Sequence, residues 1–231
     1  MDFVTLAKDY GFDLDGKIFK AFAEYLYGEN QKMDLTAAKT LDEIYIKHIL
    51  DSLSPLKVYD IKKDAKVIDI GCGAGFPGIP MRLARPDIKL TCLDSLNKRI
   101  DFIADFARKN NLENIEPISA RAEELAFDKD YRESYDVAVS RAVAPLNKLI
   151  ELALPYVKTG GVFISLKGMK AKEEADEAQN AINILGGRLS AIENCGFKDD
   201  MSGHSAVIIE KVSPTPENYP RRFSKISKKP L

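Results

Sequence analysis

Val67 to Pro80 reads V-I-D-I-G-C-G-A-G-F-P-G-I-P, and no other stretch restricts the fold of this chain as strongly. Val67, Ile68 and Ile70 make a short β-branched apolar run, the composition of a strand covered on both faces. Gly71, Gly73, Gly75 and Gly78 follow at once, with Pro77 and Pro80 among and after them. A strand that breaks into glycines and then opens a helix is the usual entrance to a nucleotide pocket. Glycine permits positive φ and close backbone approach, and the helix start offers unpaired N–H groups. Dinucleotide folds use G-x-G-x-x-G. Here the first three glycines fall at i, i+2 and i+4, with Asp69 two residues before them. A plain tight loop is the structural alternative.

Around this loop the chain is organised in three parts. Residues 1–60 read as an N-terminal helical extension, with Ile18, Phe19, Phe22, Tyr25 and Leu26 on one helical face. Thr40 and Glu43 form a T-x-x-E capping box ahead of a second amphipathic helix carrying Ile44, Ile46, His48, Ile49, Leu50 and Leu53. Residues 61–213 alternate strand and helix. Strands are expected at 67–70, 89–93, 116–119, 136–140, 161–166, 188–194 and 206–212, and helices at 79–84, 96–108, 146–156 and 172–185. The pattern predicts an α/β, Rossmann-like, doubly wound seven-stranded sheet. No helix separates the last two strands, so they are expected to pair as an antiparallel hairpin. Residues 214–231 form a proline-containing tail whose closing basic residues, from Arg221, have no acidic neighbour.

The chain of 231 residues has a net charge of −1 and a pI near 6.2, so nucleic-acid binding would have to rest on local basic clusters. Cys72, Cys92 and Cys195 lack metal-ligand spacing and suit a reducing cytosol. The first residues show no basic-then-apolar leader, and no apolar run approaches the roughly 18 residues of a membrane span. A cytoplasmic monomer without membrane contact and without a bound metal is the expectation.

The D-x-G-x-G-x-G pattern resembles motif I of S-adenosylmethionine-dependent methyltransferases, where the loop approaches a methionine moiety. The longer G-A-G-F-P-G-I-P string resembles the ribosomal small-subunit methyltransferase G family, also called glucose-inhibited division protein B. Further matches lie at Asn30 to Thr36, at His48 to Ser52, in D-S-L-N-K-R from Asp94, at 139–145 and 166–168, and in Y-P-R-R from Tyr219. That resemblance implies the methyltransferase sheet and an S-adenosyl-L-methionine cofactor. It implies methylation of N7 of one guanine in 16S ribosomal RNA, on the small ribosomal subunit or its RNA.

Candidate site residues follow from position and from the family. Asp69, Gly71, Gly73 and Gly75 would hold the methionine end. Asp94 closes the second strand, where a carboxylate can accept both ribose hydroxyl protons; it equally suits a helix N-cap. The resemblance adds Phe76, Ala122 and Glu123 to the cofactor contacts, and assigns Arg121, Arg141 and Lys167 as functional basic residues facing the pocket, with Arg141 touching cofactor and guanine. His48, Lys167, Arg221 and Arg222 are the candidate RNA contacts, though a helix-face histidine and a solvated basic tail are the plainer readings.

No N/D/S-P-P-Y/F string follows the fourth strand, as an enzyme acting on exocyclic amines would show, and no cysteine is placed for attack on pyrimidine C5. Guanine N7 is already a nucleophile and carries no proton at neutral pH. A non-catalytic RNA-binding module on the same fold, a methyltransferase with another RNA target, and an NAD-dependent oxidoreductase are the alternatives.

Overall fold

A computed structural model describes residues 3–196 and 204–231. Seven strands form one sheet: β1 (Lys66–Ile70), β2 (Lys89–Asp94), β3 (Ile115–Ser119), β4 (Tyr135–Arg141), β5 (Val157–Lys167), β6 (Gly187–Asn194) and β7 (Ser205–Lys211). Their order is β3-β2-β1-β4-β5-β7-β6. The first five strands are parallel, and β7 runs antiparallel to both β5 and β6. The chain winds to one side of β1 and then to the other, so a topological switch point lies between the ends of β1 and β4. Most of the expected loop from Gly196 to Ser205 lies outside the described residues.

Side chains of β1 alternate between two apolar layers, as the period of two requires. Val67, Val139 and Ile164 join one layer with Phe22, Ile103 and Phe106; Ile68, Ala138 and Phe163 join the other with Ile150 and Ile182. The first layer is covered by α1 (Phe3–Asp9), α2 (Gly16–Met33), α3 (Leu41–Glu43), α4 (Ser54–Val58), α5 (Gly78–Ala84) and α6 (Asn97–Lys109). The second is covered by α7 (Ala122–Leu125), α8 (Leu146–Ala153), α9 (Ala171–Ile184) and α10 (Phe223–Lys228). Phe22 is fully buried among Phe76, Phe102 and Phe106, so the N-terminal helices are welded to the sheet layer. Truncating such a phenylalanine costs about 3–5 kcal/mol.

Two expectations change in the structure. Thr40 Oγ1 does accept the Glu43 N–H, and the Glu43 carboxylate returns to the Lys39 N–H at 2.7 Å. Beyond that cap, however, Ile44–Leu50 winds as a π-helix and Asp51–Leu53 as a 3₁₀ turn, where one amphipathic α-helix was expected. The i→i+5 winding widens the turn and rotates its face, which leaves Ile46 half exposed rather than buried.

The tail is anchored to the fold at a few points, although its basic residues from Arg222 onward are exposed. Ile226 is fully buried in the second layer, and Arg132 donates to the carbonyls of Thr215, Pro216 and Tyr219. Lys211, also fully buried, binds Glu133 at 2.9 Å and Thr215 Oγ1 at 2.5 Å, anchoring the start of the tail to β7.

Candidate active site

The glycine loop joins β1 to α5 at the switch point. Gly71 (φ 70°) lies under Val143: a Cβ there would come within 2.6 Å of a Val143 methyl, so only glycine fits beneath the loop that follows β4. Gly73 (φ 56°) is different, because a Cβ there would meet nothing within 4 Å. The side of Gly73 where a Cβ would stand faces open space. Gly75 continues the turn toward Phe76.

Two carboxylates shape this loop. Asp69 is fully buried, and its Oδ2 accepts the Gly78 N–H at 2.7 Å, at the start of α5. Burial pushes its pKa up to about 7, against the pull of that hydrogen bond. Asp69 has no water-accessible surface with which to hold the methionine end directly, contrary to expectation; it clamps the loop instead. Asp94, at the end of β2, accepts the Gly73 N–H (3.0 Å), the Leu96 N–H (3.0 Å) and Arg99 (3.2 Å). The carboxylate thus ties the loop to the start of α6 while standing at the strand end. Open backbone at Gly73 beside this acidic strand end fits an adenosyl cofactor.

Arg141 closes β4 and reaches across to the N-terminal region. Its Nη1 donates to Asp51 Oδ2 at 2.7 Å and to the His48 carbonyl at 3.2 Å, and its Cζ lies 4.8 Å from the centre of the Phe76 ring. Its Nη2 stands 3.3 Å from His48 Nδ1. A guanidinium only donates, so His48 Nδ1 accepts and its proton sits on Nε2, pointing at Thr36 Oγ1, 2.6 Å away. Asn30 braces that segment through the Thr36 N–H (2.8 Å) and the carbonyls of Thr36 and Ala38. Burial, then the Arg141 charge, lower the His48 pKa to about 4. His48 is therefore neutral, with both ring nitrogens engaged inside the protein. His48 thereby holds Arg141 in place.

Asp51 and His204 were not singled out from the sequence, yet they complete the arrangement. Asp51 Oδ1 lies 2.7 Å from His204 Nδ1 while Oδ2 holds Arg141. Burial raises the Asp51 pKa, but His204 and Arg141 outweigh it and keep the carboxyl below the usual range. The H-x-x-D spacing of His48 and Asp51 was the available signal. His204 had none, because it arrives from the β6–β7 connection. Glu174 of α9 was missed for the same reason: it accepts the Leu146 N–H and pairs with Lys167 at 2.8 Å, while Lys167 also donates to the Ala144 carbonyl at 2.7 Å.

Arg141, Lys167 and His48 line one cavity of about 940 Å³, walled by the π-helical turn, the 142–145 loop and residues 166–168. Arg121 does not reach it; this residue stands exposed ahead of α7, so its expected position facing the pocket is corrected. Ala122 gives its carbonyl to Tyr156 at 2.6 Å, and Glu123 is half exposed beside it. Arg221 lies elsewhere. Its Nε and Nη2 grip the fully buried Glu151 at 2.8 and 2.6 Å, and its backbone N–H donates to the same carboxylate. That side chain is a strut, not an RNA contact. Arg222 is exposed.

The cavity favours a substrate that needs no deprotonation. Both of its carboxylates, Asp51 and Glu174, are engaged by cations. Cys195 does line it, contrary to expectation, but burial pushes that thiol up to about 11, far from a neutral-pH thiolate. What remains is cationic donors around an apolar chamber.

A family model described as "rRNA small subunit methyltransferase G" matches residues 16–202. Ribosomal RNA small subunit methyltransferase G of Alkaliphilus metalliredigens is 43% identical over 227 residues, covering 97% of this chain and 95% of the relative. The protein of the same name from Clostridium novyi is 43% identical over 228 residues, covering 97% and 94%. Among solved structures, a SAM-dependent methyltransferase from Aquifex aeolicus matches with a TM-score of 0.54 at 18% identity, covering 70% of this chain and 90% of that one. Precorrin-6y C5,15-methyltransferase from Geobacter metallireducens matches with a TM-score of 0.51 at 16% identity, covering 78% and 95%. These likenesses establish the fold.

Proposed function

We propose, given that this chain belongs to the rRNA small subunit methyltransferase G family, that it methylates N7 of one guanine in 16S ribosomal RNA, in the cytoplasm, using S-adenosylmethionine. The observation that carries this reading is Arg141. It ends β4 at the switch point, stacks on Phe76 of the glycine loop and lines the adjoining cavity. One guanidinium is thereby placed between the space for a cofactor and the space for a base.

When bound, the cofactor supplies an electrophilic methyl group on a sulfonium. Gly71, Gly73 and Gly75 shape its methionine end, Asp94 receives the ribose hydroxyls, and Phe76, Ala122 and Glu123 flank the remainder. Arg141 and Lys167 orient the guanine and its phosphate, for which a planar guanidinium fork is well suited. N7 carries no proton, so the protein need supply no base. Rate comes from in-line placement and exclusion of water. The N-terminal region, 1–60, forms one wall of the base pocket, and the 61–213 domain holds the cofactor. Arg222, exposed on the closing segment 214–231, adds a phosphate contact at the periphery.

Small subunits from a strain lacking the enzyme, incubated with methyl-labelled S-adenosylmethionine, should take up label. Chemical cleavage at N7-methylguanine should then cut at one guanine. Label without cleavage would discard N7; absence of label on both subunits and naked RNA would discard the catalytic reading.

A further inference from the structure

A flat base needs more than donors at its edge. Arg141 and Lys167 can fix the rim of a guanine, since both only donate, but neither sets the plane in which N7 meets a methyl group. A plane is set by an apolar face. Phe76, the aromatic ring of the glycine loop, has no face left for a second ring. It is 7% exposed, with the His48 ring stacked at 5.2 Å, Arg141 Cζ at 4.8 Å and the Phe22 ring at 5.6 Å from its centre. Leu166, which β5 brings to the cavity wall, is almost fully buried.

Val143 is built differently. Where β4 ends at Arg141, Ala142 takes a left-handed conformation (φ 56°), which a residue with a Cβ seldom adopts. Such strain persists where the surroundings hold it, and it gathers at functional sites. Beyond this turn Val143 lies on the glycine loop. The three atoms that a Gly71 Cβ would meet first all belong to its isopropyl group, at 2.6, 3.2 and 3.5 Å. Val143 is nevertheless 39% exposed and lines the cavity together with Arg141 and Lys167. The isopropyl group therefore touches the loop assigned to the cofactor and also the space assigned to the base. Branching at Cβ stiffens χ1, so this apolar face stands at a fixed height above Gly71.

We propose that Val143 is the platform for the methylated guanine, one ring face lying on its methyl groups while Arg141 and Lys167 hold the edge. This assignment rests on the cavity being the methyl-transfer site. Val143 moves no proton. It sets the height of the base above the glycine loop, and with it the line along which N7 approaches the methyl group. A branched aliphatic face accepts any flat ring, so the contact aligns the base and leaves its identity to the donors at its edge.

The test compares wild type, Val143→Ala and Val143→Phe on undermethylated small subunits at saturating S-adenosylmethionine. Val143→Ala should lose about tenfold in kcat, as a looser approach of the reacting atoms requires. Its KM should change less than about threefold, because phosphate contacts supply most of the affinity. In Val143→Phe an unbranched Cβ lets a larger flat face turn into the cavity, so kcat should stay within about threefold of wild type. Calorimetric affinity for S-adenosylmethionine and the urea midpoint should be unchanged in both variants.

Full kcat in Val143→Ala overturns the proposal. An equal loss of kcat in Val143→Phe also overturns it, as does weakened cofactor binding in Val143→Ala, since either result marks packing on Gly71 rather than contact with the base. N7 methylation by the wild type together with an unaffected Val143→Ala removes the platform alone. Absence of N7 methylation by the wild type removes the enzymatic reading and the platform with it.

Discussion

Arg141 and Arg221 look alike in the sequence, each a basic residue beside a strand end or in a basic run, and each grips a carboxylate in the fold. The settings differ. Arg221 is forked onto Glu151, which has no exposed surface, and adds its own backbone N–H to the same carboxylate. Arg141 shares its donors among Asp51, the His48 carbonyl and His48 Nδ1, lies over an aromatic ring, and still lines a cavity. One arginine is consumed by the fold, and the other is held ready at its surface. A guanidinium bonded to a single buried partner can serve only stability. One bonded to several partial partners keeps its orientation and can still meet a ligand.

The sharpest test of this contrast is Arg221→Ala, which leaves the Glu151 charge buried and unpaired. It should cost about 3–5 kcal/mol in urea unfolding, with methyl transfer per folded molecule near normal. Intact stability with weakened RNA binding would reverse the assignment. Arg141→Ala should show the mirror image: kcat/KM down about 100-fold, the scale of lost alignment at a reacting centre. Its stability should fall by only about 1–2 kcal/mol, since Asp51 keeps His204 as a partner. Full turnover in that variant would remove Arg141 from the chemistry.

A smaller effect concerns the two buried groups that flank the Arg141 side. His48 is held at about 4, below its ordinary 6.5, so between those values the unfolded chain takes up a proton that the native protein refuses. Stability from this group falls as pH falls from 6.5 to 4. Asp69 is held at about 7, above its ordinary 3.8, so the native carboxyl retains a proton that the unfolded chain has released. Stability from this group falls as pH rises from 3.8 to 7. The two slopes oppose each other, and between pH 4.5 and 6.5 each changes stability by about 2–3 kcal/mol. Urea midpoints between pH 4.5 and 6.5 should therefore shift with opposite signs in His48→Asn and Asp69→Asn. Shifts of the same sign would show that burial does not govern both.

Arg222→Gln should do least. RNA affinity should fall slightly, and the dependence of log K on log salt should lose about one unit of slope. A slope unchanged within error would leave Arg222 solvated and idle, and the closing segment wholly structural.

Much of the architecture was legible because it is written locally. Alternating apolar residues and helical spacing located all seven strands, and the lack of a helical pattern in the sequence between the last two strands announced the antiparallel β7. Boundaries moved where no local signal existed: β5 begins at Val157, ahead of Gly160 and Gly161, where the sequence pattern starts the strand. The π-helical turn was missed because Ile44, Ile46, Ile49 and Leu50 satisfy an α-helical pattern equally well. In the site, the glycine loop and Asp94 were found from spacing, and Arg141 and Lys167 from the family motif that carries them.

The sequence alone thus settled what depends on near neighbours: the strand–loop–helix around Gly71, the alternation that builds the sheet, and the family. Only the tertiary structure decided which charges are spent. Arg141 meets Asp51 across 90 residues of chain, and Arg221 meets Glu151 across 70. A side chain's charge is written at its position, but its partner and its burial are properties of the packed fold. That is why two arginines of equal promise became a pocket wall and a strut.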